Sequence, residues 1–178
     1  MQHGIYPFIN SMRHKRKLRH GAKYHVQASA NRDELILGSS ELKTLFLDIV
    51  KRAKEKYKFN IENLCLMGCY LQLIIQPLKG ESLSRIMQWI LSVFAMKYNK
   101  LHNVKGHVFY DRFKSTIIEN FLEYVRSFTH IMETPVKASI VTRPEDYEFN
   151  GVSYLRKGIY EVIEPPDEAL ISVIRCLQ

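Results

Sequence analysis

Residues 65–75, CLMGCYLQLII, constrain the chain more than any other stretch. The odd positions Cys65, Met67, Cys69, Leu71, Leu73 and Ile75 are all apolar, whereas the even positions Leu66, Gly68, Tyr70, Gln72, Ile74 and Gln76 are mixed. Side chains of an extended chain alternate between two faces. The stretch is therefore expected to be strand material, kinked at Gly68, with its odd face on a core. Its even face should meet something polar or a second layer.

The neighbouring segments supply what such a sheet needs. KYHVQASA alternates, with Tyr24, Val26 and Ala28 on one side and His25, Gln27 and Ser29 on the other, as in a half-buried strand. SSELKTLFLDIVKRAKEKY opens on a serine cap and places Leu42, Leu45, Phe46, Ile49, Val50, Ala53 and Tyr57 on one helical stripe. SLSRIMQWILSVFAMKYNKLH repeats that pattern and ends in basic residues, which suit the negative end of a helix dipole. GHVFYDRFKSTIIE reads as a strand pair or a bent strand, and NFLEYVRSFTHIME as a third helix stopped near Pro135. RPEDYEFNGVSYLRKG reads as a loop and PPDEALISVIRCL as a short terminal helix. Strands and helices in this order predict an α+β fold, an antiparallel sheet with helices packed on it.

Charge divides the chain. Of 26 basic and 18 acidic residues, residues 1–22 hold Arg13, Lys15, Arg16, Lys17 and Arg19 and no acid. Taking those five from the formal +8 leaves +3 for the rest. A basic arm, residues 1–22, thus precedes a nearly balanced domain. Such an arm neutralises phosphates, and as a solvated tail it needs no function at all. Arg112 and Lys114, two apart, should point the same way and could also hold phosphate. No apolar run approaches the roughly 20 residues of a membrane span. The basic run follows the apolar GIYPFIN rather than preceding it, unlike a secretion signal, so a cytoplasmic protein is expected. Cys65, Cys69 and Cys176 form no disulfide or metal spacing and are expected to be small packing residues.

Residues two apart on a strand share a face, so two histidines at 70 and 72 could hold one divalent cation. Tyr70 and Gln72 stand there instead. A neutral phenol is a poor ligand, and an amide carbonyl suits hard ions only weakly. Without further context these two are packing and satisfied polar residues of a sheet. His25, His102 and His107 lie on separate segments without ligand spacing, and Trp89, in a helix stripe, reads as core.

Four stretches carry a family resemblance: GAKYHVQASANRD, CLMGCYLQLII, LSRIMQWILSVFAMKYNKLHNVKGHVFYDRFKSTIIE and PVKASIVTRPEDYEFNGVSYL. Over about residues 13–157 the chain resembles the HUH single-tyrosine transposases, most of all their REP-associated branch. The resemblance implies a ferredoxin- or RRM-like palm over residues 23–157, followed by a C-terminal extension, 158–178, with a short helix. It also implies magnesium or manganese chemistry and a phosphotyrosine link to DNA, and a homodimer as the family often forms. The family's strand motif is Pro-Asn-His-Val-His; here it is Gly68, Cys69, Tyr70, Leu71, Gln72. Counting back from Pro135, with Thr134 for the family's asparagine, the nucleophilic tyrosine falls at His130. Tyr124 lies six residues earlier, about 600° of helical rotation, and should point away from the His130 face. Both metal histidines and the nucleophile are thus replaced, and no metal cofactor is expected. The resemblance implies a DNA-binding protein without cleavage activity, acting on single-stranded or hairpin DNA through Arg13, Lys15, Arg16, Lys17, Arg19, Arg112 and Lys114. Two other readings stay open: an active transposase or nuclease with unorthodox ligands, and a protein-interaction module on the same fold.

Overall fold

The computed structural model describes residues 19, 21–31 and 34–177, with side chains through residue 174. Arg13, Lys15, Arg16 and Lys17 lie outside the described residues. Four strands, β1 (Lys23–Ser29), β2 (Phe59–Leu66), β3 (Tyr70–Pro77) and β4 (Lys114–Ile118), pair antiparallel in the order β2-β3-β1-β4. Five helices accompany them: α1 (Ser40–Lys56), α2 (Leu83–His102), α3 (Phe121–Lys137), α4 (Gly151–Lys157) and α5 (Glu168–Leu177). The fold is the α+β antiparallel sheet the sequence pattern implied.

One sheet face carries α1 and α2. Tyr24, Val26 and Ala28 of β1 meet Leu71, Leu73 and Ile75 of β3 there, under Phe46, Ile49, Ile86, Ile90 and Phe94. The Phe46 and Phe94 rings cross edge-on at 5.6 Å. Each such fully buried side chain contributes roughly 1.5–3 kcal/mol. Both helices start on serines: Ser39 accepts from the Leu42 amide and Ser82 from the Arg85 amide. The opposite face carries α3 and α5, with Ile74, Tyr124, Phe128, Ile131, Met132, Leu170 and Ile174 in a second core.

Residues 65–75 do not form one strand. β2 ends at Leu66 and β3 begins at Tyr70, with the Met67 amide donating to the Tyr70 carbonyl across the turn. The chain reverses there, and the parity expected for the odd residues fails on one side of it. Cys65 pairs with Gln72 and Leu66 with Leu71, so odd residues of β2 share a face with even residues of β3. Cys65 and Met67 therefore pack in the α3 core, not with Leu71 and Leu73. A bulge between Ile61 and Asn63 flips the phase again, which lets Ile61, Leu64 and Leu66 all reach the α1/α2 side.

Two further expectations need correction. α3 does not stop before Pro135 but runs to Lys137. Proline in the last turn removes only one helical donor, and the Thr134 hydroxyl bonds the His130 carbonyl at 2.9 Å. Residues 143–158 are not a loop. They form a 3-10 turn at Pro144–Asp146 and then α4, capped by Asn150. Trp89 packs against the first core as its helix stripe implied, partly buried and edge-on to Tyr57.

The C-terminal residues pack tightly on the domain. Val162 and Ile163 are buried in the first core. The Glu164 amide donates to the Ile61 carbonyl, and its carboxylate accepts from the Ile61 amide, each at 2.7 Å. Lys54 holds the other carboxylate oxygen at 2.6 Å. This strap covers the free edge of β2 at its bulge, where bare backbone would invite pairing with another chain.

Candidate functional site

The α3 side of the sheet carries polar side chains at one end. Across the sheet, β-ladder partners Cys65, Gln72, Gln27 and Lys114 form one row. Asn63, Ile74, His25 and Thr116 form the next. Ladder partners project to the same face, so Gln72, Gln27, Lys114, His25 and Thr116 share this surface. Ser29 pairs with Tyr70 beyond them.

Gln72 is only 4% exposed. Its side-chain carbonyl lies 3.1 Å from His25 Nε2, which donates to it in the Nε2–H tautomer. His130 comes down from α3 and sets its ring 5.8 Å from that of His25, tilted by 57°. The structure thus joins Gln72 and His130, two positions singled out in the sequence, through a third residue. Of His25, His102 and His107, His25 alone reaches this cluster: His102 lies against Tyr98 at 4.4 Å and His107 is exposed. The usable signal for His25 was its strand parity, which sets it on the polar face of β1.

Burial holds the His25 imidazole below its usual pKa of 6.5; the Gln72 hydrogen bond opposes this and His130 reinforces it. Burial likewise lowers His130, with Lys137 adding to the effect. In the pH range between the folded and unfolded values, the unfolded chain binds more protons. Stability is thus fully present above about pH 6.5 and is lost as pH falls from there through the folded pKa. Urea midpoints measured from pH 8 to pH 5 should fall more steeply for the natural chain than for a His25→Asn/His130→Asn double variant. Equal slopes would remove these two residues as the source.

The resemblance implies a divalent metal at the strand positions, and the residues present do not fit one. Tyr70 offers a phenol, and the Gln72 oxygen is already engaged by His25. In the Nε2–H tautomer, His25 Nε2 donates to Gln72 and has no lone pair left for a metal. Among the described residues, no three His, Cys, Asp or Glu side chains are grouped as ligands.

Tyr124 lies away from this cluster. It is 3% exposed, and its hydroxyl is hydrogen-bonded to Glu62. Lys23 stands over its ring, 4.0 Å from the centroid, and pairs with Glu62 at 3.0 Å and Asp167 at 2.7 Å. Burial and the Glu62 carboxylate push the phenol far above its usual range. That cluster ties α3 and the start of α5 to the sheet and engages the Tyr124 phenol.

Two buried asparagines that no sequence motif singles out hold α3 in place. Asn63 Nδ2 donates to the Phe128 carbonyl at 3.0 Å, and Asn150 Nδ2 to the Met132 carbonyl at 2.7 Å. His130 lies between these two anchor points. Of the expected phosphate contacts, Arg112 and Lys114 are both exposed on either side of buried Phe113. Arg19 is tied down: its amide and carbonyl both bond the Tyr24 hydroxyl, and its guanidinium reaches Glu119 at 3.4 Å. No helix among the described residues is long and apolar enough to cross a membrane.

Comparison with solved structures finds this fold in a REP-associated tyrosine transposase bound to a REP hairpin. That chain is 18% identical, with a TM-score of 0.71, and the match covers 88% of this chain and 93% of that one. A candidate transposase from Deinococcus radiodurans R1 matches at 12% identity and a TM-score of 0.46, over 67% of this chain and 96% of that one. No curated protein matches the chain. The sequence profile of the IS200-like transposases matches residues 19–128, more than half of the chain, which therefore belongs to the IS200-like transposase family.

Proposed function

We propose that the protein is a DNA-binding member of its family that no longer cleaves DNA and that engages single-stranded or hairpin DNA. The observation that carries this reading is the state of the strand positions. Where the family holds a metal, Gln72 is hydrogen-bonded to His25, and the nucleophile position on α3 is His130. A phosphodiester attack needs an activated nucleophile and something to stabilise phosphate charge. Imidazoles held neutral by burial supply neither a phenolate nor a cation at neutral pH. The basic arm and the exposed Arg112 and Lys114 support retained phosphate binding. One solved structure with this fold is bound to a REP hairpin, which makes a hairpin the first substrate to try.

One observation favours the alternative of an active enzyme with unorthodox ligands: two imidazoles from different elements stand side by side at the site. The same experiment separates the readings. Labelled hairpin and single-stranded oligonucleotides are incubated with the protein and manganese or magnesium, then resolved on native and denaturing gels. Retarded bands without a covalent protein–DNA band are expected. A covalent band from the unaltered protein would overturn the loss of cleavage. Absence of retardation at low salt would overturn DNA binding and favour a protein-interaction module.

A further inference from the structure

We propose that Tyr110 is a stacking platform for an unpaired nucleobase, with Arg112 and Lys114 holding the phosphates beside it. The inference rests on the DNA-binding reading above and assigns the side chain that meets a base.

The connection from α2 to β4 is pinned at both ends. Val108 and Phe113 are buried, and Phe109 lies 6.0 Å from Phe94 in the first core. The backbone between them is held to the end of β1. The Asn31 amide bonds the Val108 carbonyl at 2.9 Å, Ala30 bridges to Phe109, and the Tyr110 amide donates to the Ser29 carbonyl at 3.1 Å. On this fixed backbone the Tyr110 side chain is 66% exposed. An aromatic ring on an immobile support loses little freedom when a flat ligand settles on it.

Its position matters as much as its exposure. Ser29, the residue that Tyr110 bonds, is the ladder partner of Tyr70. Lys114 is the ladder partner of Gln27, which in turn pairs with Gln72. Tyr110 and Lys114 therefore border the polar surface at the family's strand positions. Arg112 and Lys114, exposed on either side of buried Phe113, follow the ring along the chain. The one acid of the segment, Asp111, is turned back onto the Arg112 amide at 2.6 Å. An aromatic ring with two cations beside it matches a nucleotide, the ring meeting the base and the cations its phosphates. In a duplex the base faces are covered by their neighbours. The occupant is therefore single-stranded DNA or the unpaired part of a hairpin.

The test uses the full chain and oligonucleotides in which one base is 2-aminopurine, whose fluorescence is quenched on stacking. Affinity for single-stranded DNA should fall about 5- to 150-fold in Tyr110→Ala, the range for removing one base–aromatic stack. Tyr110→Phe should bind like the natural chain. Quenching at one base should vanish in the alanine variant and persist in the phenylalanine variant. The slope of affinity against salt should stay unchanged in both, since no charge is removed. Arg112→Ala or Lys114→Ala should each reduce that slope by about 0.7. Thermal unfolding of Tyr110→Ala should match the natural chain, because the ring is solvent-facing. If the natural chain binds and Tyr110→Ala binds equally well, or loses duplex and single strand alike, the platform is overturned and DNA binding stands. If the natural chain binds no DNA, both fall.

Discussion

Replacing Gly151 with alanine is expected to destabilise the protein by about 3 kcal/mol, at the upper end of what overpacking a core costs. A methyl group there would lie 2.2 Å from Asn63 Oδ1, 3.0 Å from the Leu64 amide nitrogen and 3.2 Å from Asn63 Cα. Two of those three atoms are backbone, so rotating a side chain does not relieve the crowding. Nor can Asn63 leave cheaply. It is fully buried, its oxygen accepts from the Leu64 amide at 2.9 Å, and its nitrogen serves the Phe128 carbonyl. Moving it would strand buried polar groups on both β2 and α3. For a chain of this size the melting temperature should drop by roughly 6–12 °C. Gly151→Ala melting within about a degree of the natural protein would show that α4 can shift on the sheet. The same variant should also perturb His130, because Asn63 is one of the two anchors of α3 around it.

The second large effect is on DNA. Removing residues 1–18 deletes Arg13, Lys15, Arg16 and Lys17 and should flatten the dependence of single-strand affinity on salt by up to about 3 units, near 0.7 for each phosphate no longer neutralised. The cut belongs before Arg19 because that residue closes both hydrogen bonds on the Tyr24 hydroxyl. A deletion running past it would open the core beside Tyr24 and confuse binding with folding. Anisotropy titrations over a range of potassium chloride concentrations read the slope directly. An unchanged slope would mean that the arm does not touch phosphate, and the charge asymmetry of the chain would then have another cause. A cleaner result than affinity alone is the combination with Tyr110→Ala. The arm should change the slope and the tyrosine the intercept, since one interaction is ionic and the other is not.

On the proposed reading, the family pattern is lost at its most chemically demanding positions while the fold persists. A metal site and a nucleophile each depend on particular functional groups. A sheet face depends only on which side is apolar. Gln72 and His25 satisfy each other, which keeps a buried polar pair from being orphaned. Such a pair is compatible with a scaffold that binds its ligand through the rim.

What the sequence by itself determined is whatever depends on neighbours along the chain. The alternation of Tyr24, Val26 and Ala28 is a period of two, and the stripes of α1 and α2 are periods near 3.6. Ser39 and Ser82 mark two helix starts because a cap acts within three residues. Family membership was legible for the same reason, in ordered short motifs. The tertiary structure decided what depends on register. Cys65 and Met67 changed faces because a turn and a bulge shift the pairing phase, and phase is a property of two strands, not one. His25 meets Gln72 across 47 positions of sequence, and His130 joins them because the second core, with Asn63 and Asn150, seats α3 over that end of the sheet. Gly151 is required by a side chain from β2, nearly 90 residues away. No local propensity encodes these arrangements, since each exists only once the strands have paired and the helices have docked.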